Sequence, residues 1–356
     1  MESPLKILNF VFYPINKFFK FIRLINIRNH KNFKIYFTAC FFLITIFLSC
    51  EKEIELEIPI QNNVLVVDGK IESGQPPYII LTNSVSYFEP TGINSFLNSF
   101  EHNAKVSILV NGTQFILPEL CTNTLPPELI PLAAAFLGIS TDELKGYNYC
   151  LYTVSLPDLL SGKFLAGEPG KIYRLTIESG GKIYSASTKI PEIIHLDSVW
   201  FKPNTPEATH GLAWAHLTDP DTLGNAYRWF AKRISHGSYG QIKDNNFIPP
   251  IGSAFNDQFI NGKSFDFGYD RGNRPSEEGV DLPGEKPHFY KISDTIVIKF
   301  CTIEKSVMHF IRKYEAEIWN NGNPFASPST LPTNIEGGAF GLWAGYGVSM
   351  DTIYSK

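Results

Sequence analysis

Five cysteines and eight histidines are the residues of this 356-residue chain with the widest chemical reach, and their spacing soon sorts them. The histidines do not cluster. The chain has no HExxH for a zinc peptidase, no CxxC, no GxSxG elbow, no Walker A loop and no complete GxGxxG, so the common hydrolytic, redox and nucleotide chemistries lack positioned groups. His236-Gly237-Ser238 and Ser253 offer an imidazole and hydroxyls, but no spacing aligns them as a nucleophile system. Asp219, Asp221 and Asn225 gather oxygens in DPDTLGN, yet the distal bidentate acid of an EF-hand is missing, and a tight turn is the simpler reading. No catalytic residue, metal site or cofactor is therefore expected. The cysteines say more. Cys40 lies inside an apolar run, Cys50 ends it, Cys121 and Cys150 bracket a helical stretch, and Cys301 in TIVIKFCTIE reads as a buried strand-end thiol.

The segment before Cys50 reads as targeting information. Lys6, Lys17, Lys20, Arg23, Arg28, Lys31 and Lys34 make a cationic stretch, and IYFTACFFLITIFL (35–48) follows without a charge. Those residues span about 21 Å as a helix at ~1.5 Å per residue, short of a ~30 Å hydrocarbon core, which suits a signal peptide over 1–49 better than a permanent span. FLSC then resembles the bacterial lipobox, with Ser49 at the small position and Phe47 in place of the usual Leu. Cys50 is accordingly expected to carry a diacylglyceryl thioether and an N-acyl chain, a multi-chain anchor that holds firmly where one chain binds marginally. EKEIELEIP alternates acids with aliphatic residues. It is either a solvated tether over 50–62 or an edge strand, and it reaches at most ~45 Å when extended. After position 49 the chain holds 24 basic and 34 acidic residues. No basic stripe survives there, which argues against nucleic acid as a partner.

What must position any site is mostly β-structure. Gly 27 and Pro 24 against three Met favour short strands and many turns. A first domain is expected over 63–192. VLVVDGKI and YIILTNS read as strands, KVSILVNGTQFIL as a hairpin about Asn111-Gly112, and GEPGKIYRLTIESGGKIYSASTKIP as another about Gly180-Gly181. Tyr173 is placed where immunoglobulin-like sandwiches carry a tyrosine that bonds back to the preceding corner. Between Cys121 and Cys150 lies a helical insert. The two cysteines are either a disulfide, worth about 3–4 kcal/mol by chain entropy, or two buried thiols.

A second, β-rich domain is expected over 193–356. It holds the strands LDSVWFKP, GLAWAHL, NAYRWFAKRI and KISDTIVIKF, and a helix at about 303–320 capped by Thr302 with a Val307, Phe310, Ile311, Tyr314, Ile318 stripe. The glycines of NIEGGAFGLWAGYG suggest strands that cross closely. Aromatic residues in turn-rich stretches (Tyr87, Phe88, Phe247, Phe255, Phe259, Phe267 and Tyr269) are the candidate recognition groups, suited to a glycan or peptide ligand.

Beyond single motifs, SCEKEIE, VDGKIESGQPP, SYFEP, LPPELIPLAAAFLGI, GEPGKIYRLTIE, YRWFAKRI, FIPPIGSAFND and NGNPFASPSTLPTNIEGGAFGLWAGYG together resemble the Bacteroidota lipoprotein family of domain-of-unknown-function type, DUF4249, across nearly all of residues 50–348. The resemblance implies an outer-membrane lipoprotein of β-sandwich type, often encoded beside TonB-dependent transporters. With the strand pattern it gives a mainly β chain of two immunoglobulin/fibronectin-like sandwiches. The acids after Cys50 resemble a signal for export to the cell surface, which Lys52 interrupts, so either leaflet stays open. The first expectation is a surface-exposed, non-enzymatic accessory to a TonB-dependent transporter in substrate capture or gating. The alternatives are a structural or assembly subunit of an envelope complex and, further off, a hydrolase. The family brings no established catalytic residues, so none is carried over.

Overall fold

Turn chemistry sets the hairpins. Asn111 and Gly112 take φ of 51° and 79°, the left-handed pair that a type I′ turn needs. They join β3 (Lys105–Val110) to β4 (Thr113–Leu117). Gly180 and Gly181 do the same, at 57° and 73°, between β7 (Ile172–Ser179) and β8 (Lys182–Lys189). A computed structural model describes residues 64–84, 92–137, 141–205, 208–237, 240, 242–272, 284–320 and 330–356. The signal segment 1–49, the tether 50–62 with Cys50, and Tyr87 and Phe88 lie outside the described residues.

The protein is mainly β, and its sheets are stacked as sandwiches. Along the chain, β1 (Leu65–Glu72) and β2 (Tyr78–Asn83) precede α1 (Ile93–Asn98) and the β3–β4 hairpin. Next come β5 (Glu119–Cys121), α2 (Ile130–Leu137), α3 (Thr141–Gly146), β6 (Cys150–Thr153), α4 (Leu156–Ser161) and the β7–β8 hairpin. The second half runs β9 (Ser198–Pro203), β10 (His210–Thr218), β11 (Ala226–Arg233), β12 (Ala254–Asn256), β13 (Ser264–Tyr269), β14 (Tyr290–Lys291), β15 (Thr295–Ile303), α5 (Lys305–Asn320) and β16 (Phe340–Tyr354). One eight-stranded sheet has the order β12-β11-β15-β16-β1-β2-β6-β5. Two four-stranded sheets, β4-β3-β7-β8 and β13-β10-β14 with β9 on β10, complete the fold.

The large sheet draws strands from both halves of the chain. Its centre is the parallel pair β1–β16, in register from Val66↔Phe340 to Glu72↔Tyr346. One core lies between β1, β2, β6 and β16 and the β4-β3-β7-β8 sheet, with Val67, Ile71, Ile79, Ile108, Ile177 and Trp343 at its middle. A second lies between β11 and β15 and the β10 sheet, around Ala215, Tyr227, Trp229, Ile298 and Phe300. The boundary expected at 192/193 therefore separates two cores without separating two sheets, and Ile60–Lys356 form one unit. The connection from β8 to β9 crosses directly over β16. A Cβ on Gly345 would meet the Lys189 carbonyl oxygen at 2.5 Å, and one on Gly347 would meet that of Pro191 at 2.6 Å. Glycine is needed there for close backbone approach.

Two local features bear on the sequence expectations. Tyr173 is buried, and its hydroxyl accepts the Glu168 N–H at 2.7 Å, the bond back to the corner that its position suggested. Thr302 does not cap a helix. Alternation continues through it as part of β15, where its Oγ1 accepts the Ile194 N–H at 3.1 Å. Helix α5 starts two residues later than expected, with the Glu304 carbonyl accepting Met308 N–H at 3.0 Å. Its apolar docking is confined to the first half, through Val307, Met308 and Ile311, and the second half is held by Glu315, which pairs with Arg228 at 2.6 Å. Tyr314, Ile318 and Trp319 remain exposed, so the stripe is core at one end and surface at the other.

Candidate functional site

The large sheet has one face in the two sandwich cores. Its other face is covered by α5 over part of its area, and elsewhere the strands present charge. Period-2 alternation sends Lys70 and Glu72 of β1, Phe230 and Lys232 of β11, and Lys299 of β15 to this second face, opposite the core residues Ile71, Trp229 and Phe300. Sheet order then brings them together, because Phe230 pairs with Lys299, Lys299 with Met350, and Lys70 with Tyr78. A cavity of about 580 Å³ results, roofed by Asn245, Asn246 and Phe247 and closed at one side by Ser73, Gln75 and Pro76. That volume falls in the ~300–1,000 Å³ range of small-molecule sites.

Electrostatics within the cavity are unbalanced. Lys299 is buried and donates to Glu72 Oε1 at 2.6 Å, and Lys70 reaches the same oxygen at 3.0 Å. Lys299 also lies 5.2 Å from the Phe230 ring centroid and 5.4 Å from that of Phe247. Lys232 sits 4.7 Å over the Phe247 ring and has no carboxylate partner among the described residues. Burial and the neighbouring Lys299 charge both push the Lys232 ammonium below the ordinary lysine range. Burial works to raise Glu72, but Lys70 and Lys299 outweigh it and hold the carboxyl below its usual range. For Lys70 burial pulls down, while Tyr78 and Glu72 more than offset it, so the net shift is upward. Two ammonium groups thus share one carboxylate, and the third, Lys232, has none in ion-pair range among the described residues.

A buried ion network fixes the roof. Arg233, at the end of β11, grips Asp244 with Nε–H to Oδ2 at 2.8 Å, Nη2–H to Oδ1 at 2.9 Å and its backbone N–H to Oδ2 at 2.8 Å. Arg271 approaches Asp244 at 3.6 Å, and Lys243 bridges Glu285 and Asp294, each at 2.7 Å. Ala231 and Ile248 exchange backbone bonds at 3.1 and 2.9 Å. The segment carrying Asn245, Asn246 and Phe247 is therefore pinned at both ends.

The aromatic candidates separate on inspection. Phe247 lines the cavity. Phe255, Phe267 and Tyr269 do not form recognition loops: they lie on β12 and β13 and pack into the second core, their rings 5.2 Å from Tyr227, 5.7 Å from Trp229 and 5.6 Å from Trp229. SFDFGY alternates with period 2, which is the pattern of a half-buried strand. Phe259 is exposed and stands apart. Ser253 is buried with its hydroxyl donated to the Trp229 carbonyl, so it is no nucleophile. Asp219 and Asp221 are occupied by the turn before β13, accepting Gly262 N–H at 3.2 Å and Asn261 Nδ2–H at 3.1 Å, and Asp219 also accepts the Tyr227 hydroxyl.

Among the described residues, the one group with metal-like composition coincides with two of the cysteines. Cys121 and Cys150 are cross-strand partners on β5 and β6 and form a disulfide. Their sulfurs lie near His102 and Glu119. Oxidised sulfur offers no thiolate, so only the imidazole and carboxylate of that group can act as ligands. The bridge closes the helical insert, and reduction is expected to cost about 3 kcal/mol of unfolding free energy. Denaturant titration with and without dithiothreitol checks this, and coincident midpoints would show the bridge to be thermodynamically idle. Cys301 is fully buried, and burial pushes its thiol up to about 12. A second cavity of about 250 Å³, apolar and lined by Leu120, Leu125, Leu129, Leu151, Leu159 and Phe164, lies against the insert.

Fold and site together define a sandwich protein with a half-enclosed cationic cavity on the outer face of its shared sheet. The chain belongs to the family described as Domain of unknown function (DUF4249), whose model matches residues 51–352. A search of curated proteins finds no match.

Proposed function

We propose that the protein is a lipid-anchored, non-enzymatic ligand-capture subunit, exposed on the outer membrane and working beside a TonB-dependent transporter. The observation that carries the capture role is the 580 Å³ cavity, with its excess of ammonium groups and a roof pinned by buried ion pairs. A tether of limited reach would hold the body near the membrane.

The anchor is tested by metabolic labelling with a fatty acid. Wild-type protein takes up label and Cys50→Ala does not; a labelled Cys50→Ala protein would remove the lipoprotein reading. The accessory role is tested by purification through a C-terminal tag in mild detergent, which should recover a large barrel protein. A second reading, an assembly subunit without a small ligand, is favoured by the exposed Tyr314, Ile318 and Trp319 on α5. Under that reading the barrel is lost on Trp319→Ser, while cavity substitutions leave the complex and the unfolding temperature in ligand unchanged.

A further inference from the structure

We infer that the cavity between β1, β11, β15 and the 242–250 segment binds a small anion through carboxylate or phosphate oxygens, with Lys232 and Lys299 as the anion-binding groups. The inference rests on reading this cavity as the ligand site and adds the charge class of its ligand.

The protein as a whole points the other way. After position 49, acids outnumber bases 34 to 24, yet the lining of this cavity holds three lysines, Lys70, Lys232 and Lys299, and one acid, Glu72. Asp68 and Asp244, outside the lining, are the further acids that Lys70 and Lys232 feel. Elsewhere on the same sheet face a buried cation is matched: Arg228 meets Glu315 of α5 at 2.6 Å. Deeper in the body, Arg233 is matched by Asp244 and Glu285. Burial of charge is tolerated where a counter-charge is supplied. Lys232 is the exception: half-buried, it has no carboxylate in ion-pair range among the described residues, only the Phe247 ring against it and Asp244 acting from further away. A ring quadrupole compensates a half-buried ammonium in part, and an incoming anion would complete the set.

The rest of the lining suits an anion with a polar body. Ser73 Oγ accepts the Val348 N–H at 2.9 Å, which leaves its hydroxyl proton to donate. Asn246 Oδ1 is buried without a hydrogen-bond partner among the described residues. Oxygen and nitrogen of that amide exchange places by a half-turn of the side chain, so the same position can present N–H to an oxyanion. Gln75 and Asn245 add amide groups to the lining. A purely apolar ligand would leave these groups and the ammoniums unpaired.

The test uses detergent-solubilised full-length protein at low ionic strength, with millimolar sodium glucuronate, inorganic phosphate and neutral glucose as probes. Glucuronate or phosphate is expected to raise the unfolding temperature, glucose is not, and the effect should fade with added salt. Which anion responds separates a carboxylate ligand from a phosphate ligand. Lys232→Met should abolish the shift and weaken affinity about tenfold or more, while Lys232→Arg retains it. Without anion, Lys232→Met should melt at or above the wild-type temperature, since it removes a half-buried charge that has no ion-pair partner among the described residues. A lysine serving only structure would instead lower it. If neither anion shifts the wild type, or Lys232→Met binds as tightly as wild type, the inference is overturned. Recovery of the barrel partner in the same preparation would then leave the accessory role standing and remove the anion alone.

Discussion

Residues 63–192, expressed alone, should fail to fold cooperatively. Every strand of the first core is present in that segment except β16, but β16 is the parallel neighbour of β1 and brings Trp343 into the centre of the core. Trp343 is fully buried, donates Nε1–H to the Tyr173 carbonyl at 2.9 Å, and lies so close to β1 that a Cβ on Gly69 would meet its Cε3 at 2.8 Å. In the intact protein Trp343→Ala removes the largest side chain of that core and its hydrogen bond to the Tyr173 carbonyl. A loss of about 3–5 kcal/mol is expected, a large part of a typical ~5–15 kcal/mol total. Gly341→Ala should also weaken the β1–β16 pair, because φ there is 116° and a Cβ would meet the Val67 carbonyl oxygen at 1.9 Å. Far-UV circular dichroism and urea titration read these outcomes. A sharp unfolding transition in the 63–192 fragment would mean that the two halves are separable after all.

That dependence could not be read from the sequence, and the reason is specific. Local patterning marks a hairpin because its strands are neighbours: Asn111-Gly112 and Gly180-Gly181 announced theirs, and IYRLTIES announced both a strand and its corner tyrosine. Pairing of Val66 with Phe340 has no local trace, since strands so far apart in sequence each look like an ordinary edge or core strand. The glycines of GLWAGYG were the one visible hint. They do mark close crossings, by the backbone at Lys189 and Pro191, but not which strand lies alongside.

The site was less legible than the fold. Lys70 in VDGKIE, Lys232 in WFAKRI and Lys299 in VIKF each sit at the outward position of an alternating strand, where a solvated lysine is the usual occupant. Only the order β11-β15-β16-β1 makes them neighbours. The aromatic residues misled for a related reason. Density of Phe and Tyr over 247–269 suggested contact loops, yet burial follows strand parity, so Phe267 and Tyr269 turn inward while Phe247, on the roof segment, faces the lysines.

The roof itself supplies the second large effect. Replacing Asp244 by Ala leaves Arg233, almost wholly buried, without its bidentate partner, and loss of one member of a buried pair costs about 3–5 kcal/mol. Replacing both by apolar residues, Arg233→Met with Asp244→Leu, should recover part of that stability because the two charges of the bidentate pair leave together, while Glu285 keeps Lys243. Acid should mimic the single substitution. Burial works to raise the Asp244 carboxyl, but Arg233 and Arg271 outweigh it and its folded-state pKa lies below the ordinary value of about 4. A carboxyl depressed on folding contributes stability that is fully present above its unfolded pKa and is lost as pH falls through the lower folded value. Wild type should therefore weaken progressively below about pH 4, and Asp244→Ala should lose that part of the dependence. The same substitution frees the segment that holds Asn245, Asn246 and Phe247 over the lysines, so anion-induced stabilisation should fall with it. The double variant, stable but without the Arg233 grip, separates the two consequences: if it regains both stability and anion response, the ion pair serves the fold alone, and if it regains only stability, the pair holds the roof in its binding position.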